Sequence, residues 1–310
     1  QELRQQIGRI GSLVGTSPEA APTVLILGET GSGKDLVAHL LHRASRRRNL
    51  PFVHIDCAAL PGELIEAELF GHVKGAYTGA GPARTGLVEA AEQGTLFMDE
   101  VAELPLELQG KLLAVLERRM FRRLGSSREQ PVNAWIIAAT NRPLADLVAA
   151  GRFRADLYYR LRVLSIGVPP LRRRTQDIPA LARSFAQQTA RKFGLPEPRF
   201  TDDALRSLKT WPWPGNVREL RNEIERAVLL GMDQPLDLRA LRLEQEAVSE
   251  AASAPPEAAP ARSLADAEQQ MIRKTLADTM GNVSRAALKL GVTRMTLRYR
   301  MQKYGIQKKA

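Results

Sequence analysis

The sequence holds one cysteine, Cys57, in 310 residues. A lone thiol excludes an internal disulfide and any cysteine-rich metal site, and it points to a reducing compartment, the cytoplasm. Histidine is also scarce. His39, His42, His54 and His72 match no metal-ligand spacing, so solvated or hydrogen-bonded structural roles are expected. Long apolar runs are missing: Val24–Leu27 and Trp135–Ala139 fall far short of the roughly 20 residues that cross a bilayer, so no membrane partner is expected. No charged-then-apolar leader opens the sequence. Acid is in deficit, with 34 Asp and Glu against 45 Lys and Arg, a net charge of +11.

What is present describes an ordinary globular chain, 44% hydrophobic and 25% charged, long enough for two or three domains. The positive charge is concentrated. Ten lysines and arginines face three acids in the last 48 residues, Ser263–Ala310. A compact basic segment of that kind favours a polyanionic partner, most simply nucleic acid.

Val24–Leu27 is a short buried-strand pattern that runs into GETGSGKD (Gly28–Asp35), and Leu36–Leu41 then reads as helix. Phe52–Ile55, Thr95–Met98 and Trp135–Ala139 are further strand candidates separated by helical stretches. Strands alternating with helices predict an α/β domain with a parallel sheet covered on both faces. After Pro169-Pro170 the strand pattern stops, and Asp177–Leu230 reads as helices alone. Glu246–Arg262 is rich in Ala, Pro and Glu and cannot bury enough apolar surface to order itself, so it reads as a linker. The resulting divisions are a lead-in at 1–22, an α/β nucleotide-binding part at 23–170, a helical lid at 171–245, the linker at 246–262 and a small all-α domain at 263–310.

The glycine loop carries the chemistry. Gly28, Gly31 and Gly33 let backbone N–H groups wrap phosphate oxygens at a helix N-terminus, and Lys34 would set its ammonium on the β- and γ-phosphates. The candidate nucleotide-binding run is Gly28, Glu29, Thr30, Gly31, Ser32, Gly33, Lys34, Asp35 and Leu36. Asp35 stands where the general motif has a Ser or Thr magnesium ligand; a carboxylate could act on magnesium through water. GTLFMDE (Gly94–Glu100) is a buried strand ending in two carboxylates, where ligands bind in open α/β sheets. Asp99 would hold Mg2+ and Glu100 would polarise the attacking water. WIIAATN (Trp135–Asn141) repeats the pattern and would set Thr140 and Asn141 beside the γ-phosphate. Arg154 and Arg160 in GRFRADLYYRL are candidates for transition-state charge, although a spacing of six converges only if the segment is bent or partly non-helical. Arg218 follows a Pro-Gly turn at the start of a helix, from which it could return to the nucleotide.

In the basic segment, Val283–Leu290, the turn Gly291-Val292-Thr293 and Arg294–Lys303 form a helix–turn–helix signature. Thr293 can cap the third helix, Arg294, Thr296, Arg298 and Arg300 can face a major groove or phosphates, and Met295, Leu297 and Met301 include the core contacts. A plain charged helical bundle is the competing reading.

These segments together resemble the AAA+ bacterial enhancer-binding proteins, the activators of sigma-54 RNA polymerase. The matching stretches are LILGETGSGKDLVA, DCAALPGELIEAELFGHVKGAYTGA, GTLFMDE, AATN, GRFRADLYYRL, VPPLRRRTQDIPALA and WPWPGNVREL, in the family's order over roughly Leu25–Leu230. GAYTGA (Gly75, Ala76, Tyr77, Thr78, Gly79, Ala80) is the most specific of them, and the C-terminal segment looks like the family's Fis-type helix–turn–helix. The resemblance implies an AAA+ P-loop NTPase with a helical lid, ATP and Mg2+ as ligands, and a ring, usually a hexamer, with nucleotide between subunits. It implies Lys34 as the Walker A lysine, Asp99 and Glu100 as the Walker B pair, Thr140 and Asn141 as sensor I, Arg154 and Arg160 as fingers acting on a neighbouring subunit, and Arg218 as the sensor II arginine. Tyr77 and Thr78 would form the tip that touches sigma-54.

Three departures from the family pattern stand out. Tyr77 replaces the usual Phe. Asp56 replaces an Asn that restrains the Walker B glutamate, so two carboxylates are expected to face each other at this switch position. The lead-in Val14–Thr23 is short, and the helix that normally precedes the first strand is expected to be missing. The expected activity is ATP-driven remodelling of sigma-54 polymerase from enhancer DNA. The alternatives are a DNA-binding regulator with a degraded ATPase core and a general AAA+ unfoldase or DNA motor. No sensory segment precedes the glycine loop, so control is expected from a regulatory protein or from a sensory domain outside this sequence.

Overall fold

The computed structural model describes residues 2–15, 21–59, 62–76, 81–196, 198–231, 236 and 237, and six separate positions near the C-terminus. Two compact units divide the chain at Leu243 and Glu244.

In the first unit the elements follow in order α1 (Glu2–Leu13), β1 (Val24–Leu27), α2 (Lys34–Ala44), β2 (Phe52–Asp56), α3 (Gly62–Phe70), β3 (Gly71–His72), β4 (Arg84–Thr85), α4 (Leu87–Ala90) and β5 (Thr95–Asp99). Then come α5 (Leu106–Arg118), β6 (Met120–Arg122), β7 (Glu129–Pro131), β8 (Trp135–Thr140), α6 (Leu144–Ala149), α7 (Ala155–Leu161) and β9 (Leu164–Gly167). Three helices complete the unit, α8 (Ile178–Phe193), α9 (Asp202–Thr210) and α10 (Asn216–Leu230).

Five strands form one parallel sheet in the order β2-β5-β8-β1-β9. Side chains alternate across it with the period of two that strands impose. Val24, Ile26, Phe97, Trp135, Ile137 and Ala139 pack on one face with α1 and α2. Leu25, Leu96, Met98, Ile136 and Ala138 pack on the other with α3 to α7. Burial on both faces explains why these strands read as unbroken apolar runs. A third cluster around Trp213, Leu220 and Ile224 joins α8, α9 and α10 into the helical lid.

The missing lead-in helix is a correction: α1 is present over Glu2–Leu13. Ile7 and Ile10 are buried in the cluster that holds α2 and the sheet. Gly11 is what lets the helices approach, since a Cβ there would lie 2.5 Å from Cβ of Ala44. Gly8 and Gly11 lower helix propensity and hide this helix in the sequence.

The loop that begins at Val73 is framed by a two-stranded ribbon. Gly71 and His72 pair antiparallel with Thr85 and Arg84. Its base rests on the β6–β7 hairpin: Val73 N donates to Leu124 O at 3.1 Å, Leu124 N donates to Gly71 O at 2.9 Å, and Ala76 abuts Gly125. Tyr77, Thr78, Gly79 and Ala80 lie outside the described residues.

In the second unit Thr275, Val283, Ala286, Leu297 and Met301 are helical. Ala286, Leu297 and Met301 are buried, in line with the core role expected for Leu297 and Met301. Arg294, Thr296, Arg298 and Arg300 fall outside the described residues.

Candidate active site

Three loops meet at the C-terminal edge of the sheet, one after each of β1, β5 and β8. Gly33 caps α2 with φ 101°, and Gly31 has φ 72°. The turn is therefore closed to residues with a Cβ, which rarely adopt this left-handed region. A Cβ on Gly31 would also come within 2.3 Å of Gly215 O. Beside Gly33 no heavy atom lies within 4 Å of where a Cβ would stand, so the backbone there is open to a ligand. Ser32 is buried, and its Oγ has no hydrogen-bond partner among the described residues. Buried hydroxyls are nearly always satisfied, so this one fits a loop built to take a polar group such as phosphate.

Lys34 is 6% exposed, and its Nζ lies 3.0 Å from Glu100 Oε1 and 3.3 Å from Gly28 O. The other Glu100 oxygen accepts from Asn141 N at 3.0 Å, and Asn141 Nδ2 donates to Thr30 Oγ1 at 2.7 Å. The first residue after β8 thereby links the phosphate loop to the carboxylate beyond β5. Glu100 sits at φ 50°, ψ 47°, a left-handed conformation that costs a non-glycine residue energy and recurs at functional positions. Its N–H donates to Asp99 Oδ1 at 3.0 Å. Burial pushes the Asp99 carboxyl up, while the Lys34 ammonium pulls it back. Thr140 is buried; its carbonyl accepts from Gly28 N at 3.3 Å, and its Oγ1 accepts from Arg142 N at 3.1 Å.

The expected face-off between Asp56 and Glu100 is not the arrangement found. Asp56 pairs with Asp99 across β2 and β5, is exposed, and its Oδ1 accepts from Ala58 N at 2.9 Å. Glu100 lies one residue past the strand end, where its left-handed turn sends the carboxylate toward Lys34. The lone Cys57 is buried beside Asp56, Asp99 and Glu100; burial, and secondarily those charges, push its thiol up to about 12. A thiolate is therefore unfavourable there.

Arg154 and Arg160 lie at opposite ends of the regular helix α7. Arg154 is the extended cap of α7 and Arg160 sits in its last turn. Both reach α5: Arg154 lies against Gly110, and Arg160 donates to Leu116 O at 3.3 Å. Arg154 is exposed and ion-paired with Asp156 at 2.8 Å. Their partners are on α5 and α7 of their own chain.

Arg218 is brought to the loop, with Cβ 3.0 Å from the position of a Gly31 Cβ. The stronger ties between lid and loop come from residues that the motifs did not single out. Buried Asn216 donates from Nδ2 to Glu29 Oε2 and Thr30 O, both at 3.1 Å, and accepts from Leu171 N at 2.8 Å. Arg172 forks onto Glu29 at 2.6 and 2.7 Å, Arg174 donates to Ser32 O at 2.6 Å, and Val217 N donates to Gly31 O at 3.0 Å. Arg172 and Arg174 lie in the stretch VPPLRRRTQDIPALA, and Asn216 and Val217 in WPWPGNVREL, but sequence spacing does not show that they meet the glycine loop.

Chiefly through Arg172, and then Asn216, the Glu29 carboxyl is held down at about 2 against an ordinary 4.5. A depressed folded-state value stabilises the fold above the unfolded pKa, and that contribution is lost as pH falls from about 4.5 toward 2. Glu29→Gln should therefore lower the urea midpoint at about pH 7, with a smaller deficit at about pH 4. An equal deficit at both pH values would mean that charge is not what holds this tie.

The chain matches three family models: "Sigma-54 interaction domain" over residues 2–167, "AAA+ ATPase lid domain" over 172–258, and "Bacterial regulatory protein, Fis family" over 263–304. It is 48% identical to the DNA-binding transcriptional activator HyfR of Escherichia coli (92% of this chain, 44% of HyfR). It is 45% identical to the response regulator protein PilR of Pseudomonas aeruginosa (98% of this chain, 67% of PilR). The chain thus spans under half of HyfR and about two thirds of PilR. Among solved structures, NtrX from Brucella abortus in complex with ADP superposes with a TM-score of 0.71 at 32% identity (98% of this chain, 68% of NtrX). With its parallel sheet, P-loop, helical lid and Fis-type C-terminal segment, the chain belongs to the sigma-54 interaction domain family of AAA+ P-loop NTPases.

Proposed function

We propose that the chain is the working part of a sigma-54-dependent transcriptional activator, which binds enhancer DNA and hydrolyses ATP in a ring to remodel sigma-54 RNA polymerase. The observation that carries this reading is the contact chain from Lys34 to Glu100 and on to Asn141. It ties phosphate binding, water activation and nucleotide sensing into one contact set. Relatives named as transcriptional activators and the Fis-family match support the DNA-linked half of the reading.

In this reading Gly28–Leu36 holds the phosphates, with Lys34 on the β- and γ-phosphates. Asp99, with Asp35 acting through water, would hold Mg2+; the bound cation supplies charge neutralisation for phosphoryl transfer. Glu100 must leave Lys34 to polarise the attacking water, which a nucleotide that claims the lysine would bring about. Asn141, released from Glu100 and Thr30, would read the γ-phosphate together with Thr140. Arg154 and Arg160, both exposed and partnered on α5 and α7, serve the site of a neighbouring subunit, which makes hydrolysis depend on assembly. Arg218 acts from the lid. Gly75–Ala80 carries Tyr77 and Thr78 to sigma-54, and Arg294, Thr296, Arg298 and Arg300 contact DNA.

Thr78→Ala is expected to retain at least about half of the ATPase rate while lowering open-complex formation at a sigma-54 promoter by about a hundredfold, as removal of a contact used only in remodelling should. The check is phosphate release beside a reconstituted transcription assay. A parallel fall in both activities would make the loop part of the hydrolytic machinery and overturn its assignment as the coupling element.

A further inference from the structure

We propose that Asp35, His54 and Asp99 form a mixed nitrogen–oxygen site that takes a first-row transition-metal dication, such as Mn2+ or Co2+, beside the nucleotide phosphates. The inference deepens the nucleotide-site reading, because Asp35 and Asp99 are the carboxylates assigned there to Mg2+. His54 is the added ligand, and it changes which cation the site prefers.

Three elements supply the three groups. Asp35 stands in the first turn of α2, His54 on the edge strand β2, and Asp99 at the tip of β5. One ligand atom from each lies within 4.8 Å of the others, and His54 Nε2 is 4.0 Å from Asp35 Oδ1. A cation with bonds of about 2.1 Å needs cis ligands roughly 3 to 4 Å apart. His54 and Asp35 have side chains 42% and 60% exposed, so both have room to close that gap.

The ring of His54 is already placed. It stacks on Phe97 with centroids 5.0 Å apart and planes 25° from parallel, with Nε2 on the side of Asp35. Strand periodicity explains the approach: His54 pairs with Phe97 in register across β2 and β5, and Asp99 is two residues on from Phe97, on the same face. The histidine was invisible as a ligand in the sequence because its partners lie 19 residues upstream and 45 downstream, at no metal-motif spacing.

The donor set decides the metal. Mg2+ takes oxygen ligands, demands near-ideal octahedral geometry and keeps several waters. Imidazole suits the later first-row metals, whose affinity for a given nitrogen–oxygen site rises from Mn2+ toward Cu2+. One histidine and two carboxylates leave coordination positions open for phosphate oxygens and water. With three protein ligands, binding should not require nucleotide.

The test titrates the full chain with CoCl2 in the absence of nucleotide and follows the visible d–d absorption. One saturable Co2+ per chain is expected. His54→Ala should weaken it by at least about tenfold, and His54→Gln likewise. His39→Ala is the control: it removes an exposed histidine that stacks on Phe52 and has no place in the cluster, and it should change nothing. Binding of Mg2+ with a fluorescent ATP analogue, measured on each variant, checks the fold and the nucleotide site separately. If Co2+ binds the His54 variants as it binds the wild type, the proposal is overturned, and His54 is only an ion-pair partner of Asp35. If Co2+ binds through His54 but the ATP analogue does not bind the wild type, the metal site stands and the nucleotide reading falls.

Discussion

Lys34→Ala is expected to lower ATP hydrolysis by at least about a hundredfold, to the background of a phosphate-release assay. Lys34 is buried at the N-terminus of α2, within 3.3 Å of a loop carbonyl and 3.0 Å of Glu100. A buried cation at that point neutralises charge that develops on a transferring phosphoryl group, in surroundings where water screens little. Its loss has a second consequence. Glu100 keeps its left-handed backbone and its Asn141 N–H bond but loses its counter-charge. The carboxylate then lies close to Asp99 with only one partner, so nucleotide affinity should fall as well as turnover. Thermal unfolding distinguishes this from collapse of the fold: the sheet core does not involve Lys34, and the variant should melt as the wild type does. A variant that still hydrolyses ATP within about tenfold of the wild type would remove Lys34 from the machinery.

The same site shows which structural levels were legible in the sequence. The strands β1, β5 and β8 were readable because each is buried on both faces and so has no polar alternation to confuse with a helix, while the edge strand β2 was readable from its aromatic and β-branched residues. The edge strand β9 was missed: Leu164–Gly167 contains Ser and Gly, runs into Val168-Pro169-Pro170, and is half exposed. The β6–β7 hairpin was missed for a related reason. Its strands are three residues each, carry Arg and Glu, and contribute one buried side chain, Phe121. That hairpin props the base of the loop that bears Tyr77, so the support of the loop was less visible than the loop. Motif residues were found where chemistry fixes residue type, as at Lys34, Asp99 and Glu100. Glu100 meeting Lys34 depends on a single left-handed residue after β5, which sequence spacing does not encode. Asp56 shows the converse, a side chain satisfied locally by the N–H two residues on, as Asp often is at the end of a strand.

Asn216 is the residue whose weight the sequence concealed most, and its replacement should be the most destabilising of the changes considered. It has φ 56° and is fully buried, at the point where α10 begins and the lid touches the phosphate loop. Among non-glycine residues asparagine tolerates this conformation well, and here its amide is used at both ends. Oδ1 takes the N–H of Leu171, while Nδ2 serves Glu29 and the Thr30 carbonyl. Asn216→Ala removes these bonds, strands the buried Leu171 N–H, and places in the left-handed region a residue that tolerates it less well than asparagine. The two costs add to about 3 to 4 kcal/mol, read as a lowered urea midpoint. Asn216→Gly separates them. It gives up the same bonds but keeps the backbone relaxed, so it should be more stable than the alanine variant by about 1 kcal/mol. Both should weaken binding of the ATP analogue, because Glu29 and Thr30 lose the lid contact that fixes the loop. Equal stability of the two variants would show that the left-handed turn carries no strain at this position. Unchanged nucleotide affinity in both would show that the loop holds its shape without the lid, and that Asn216 is a packing residue alone.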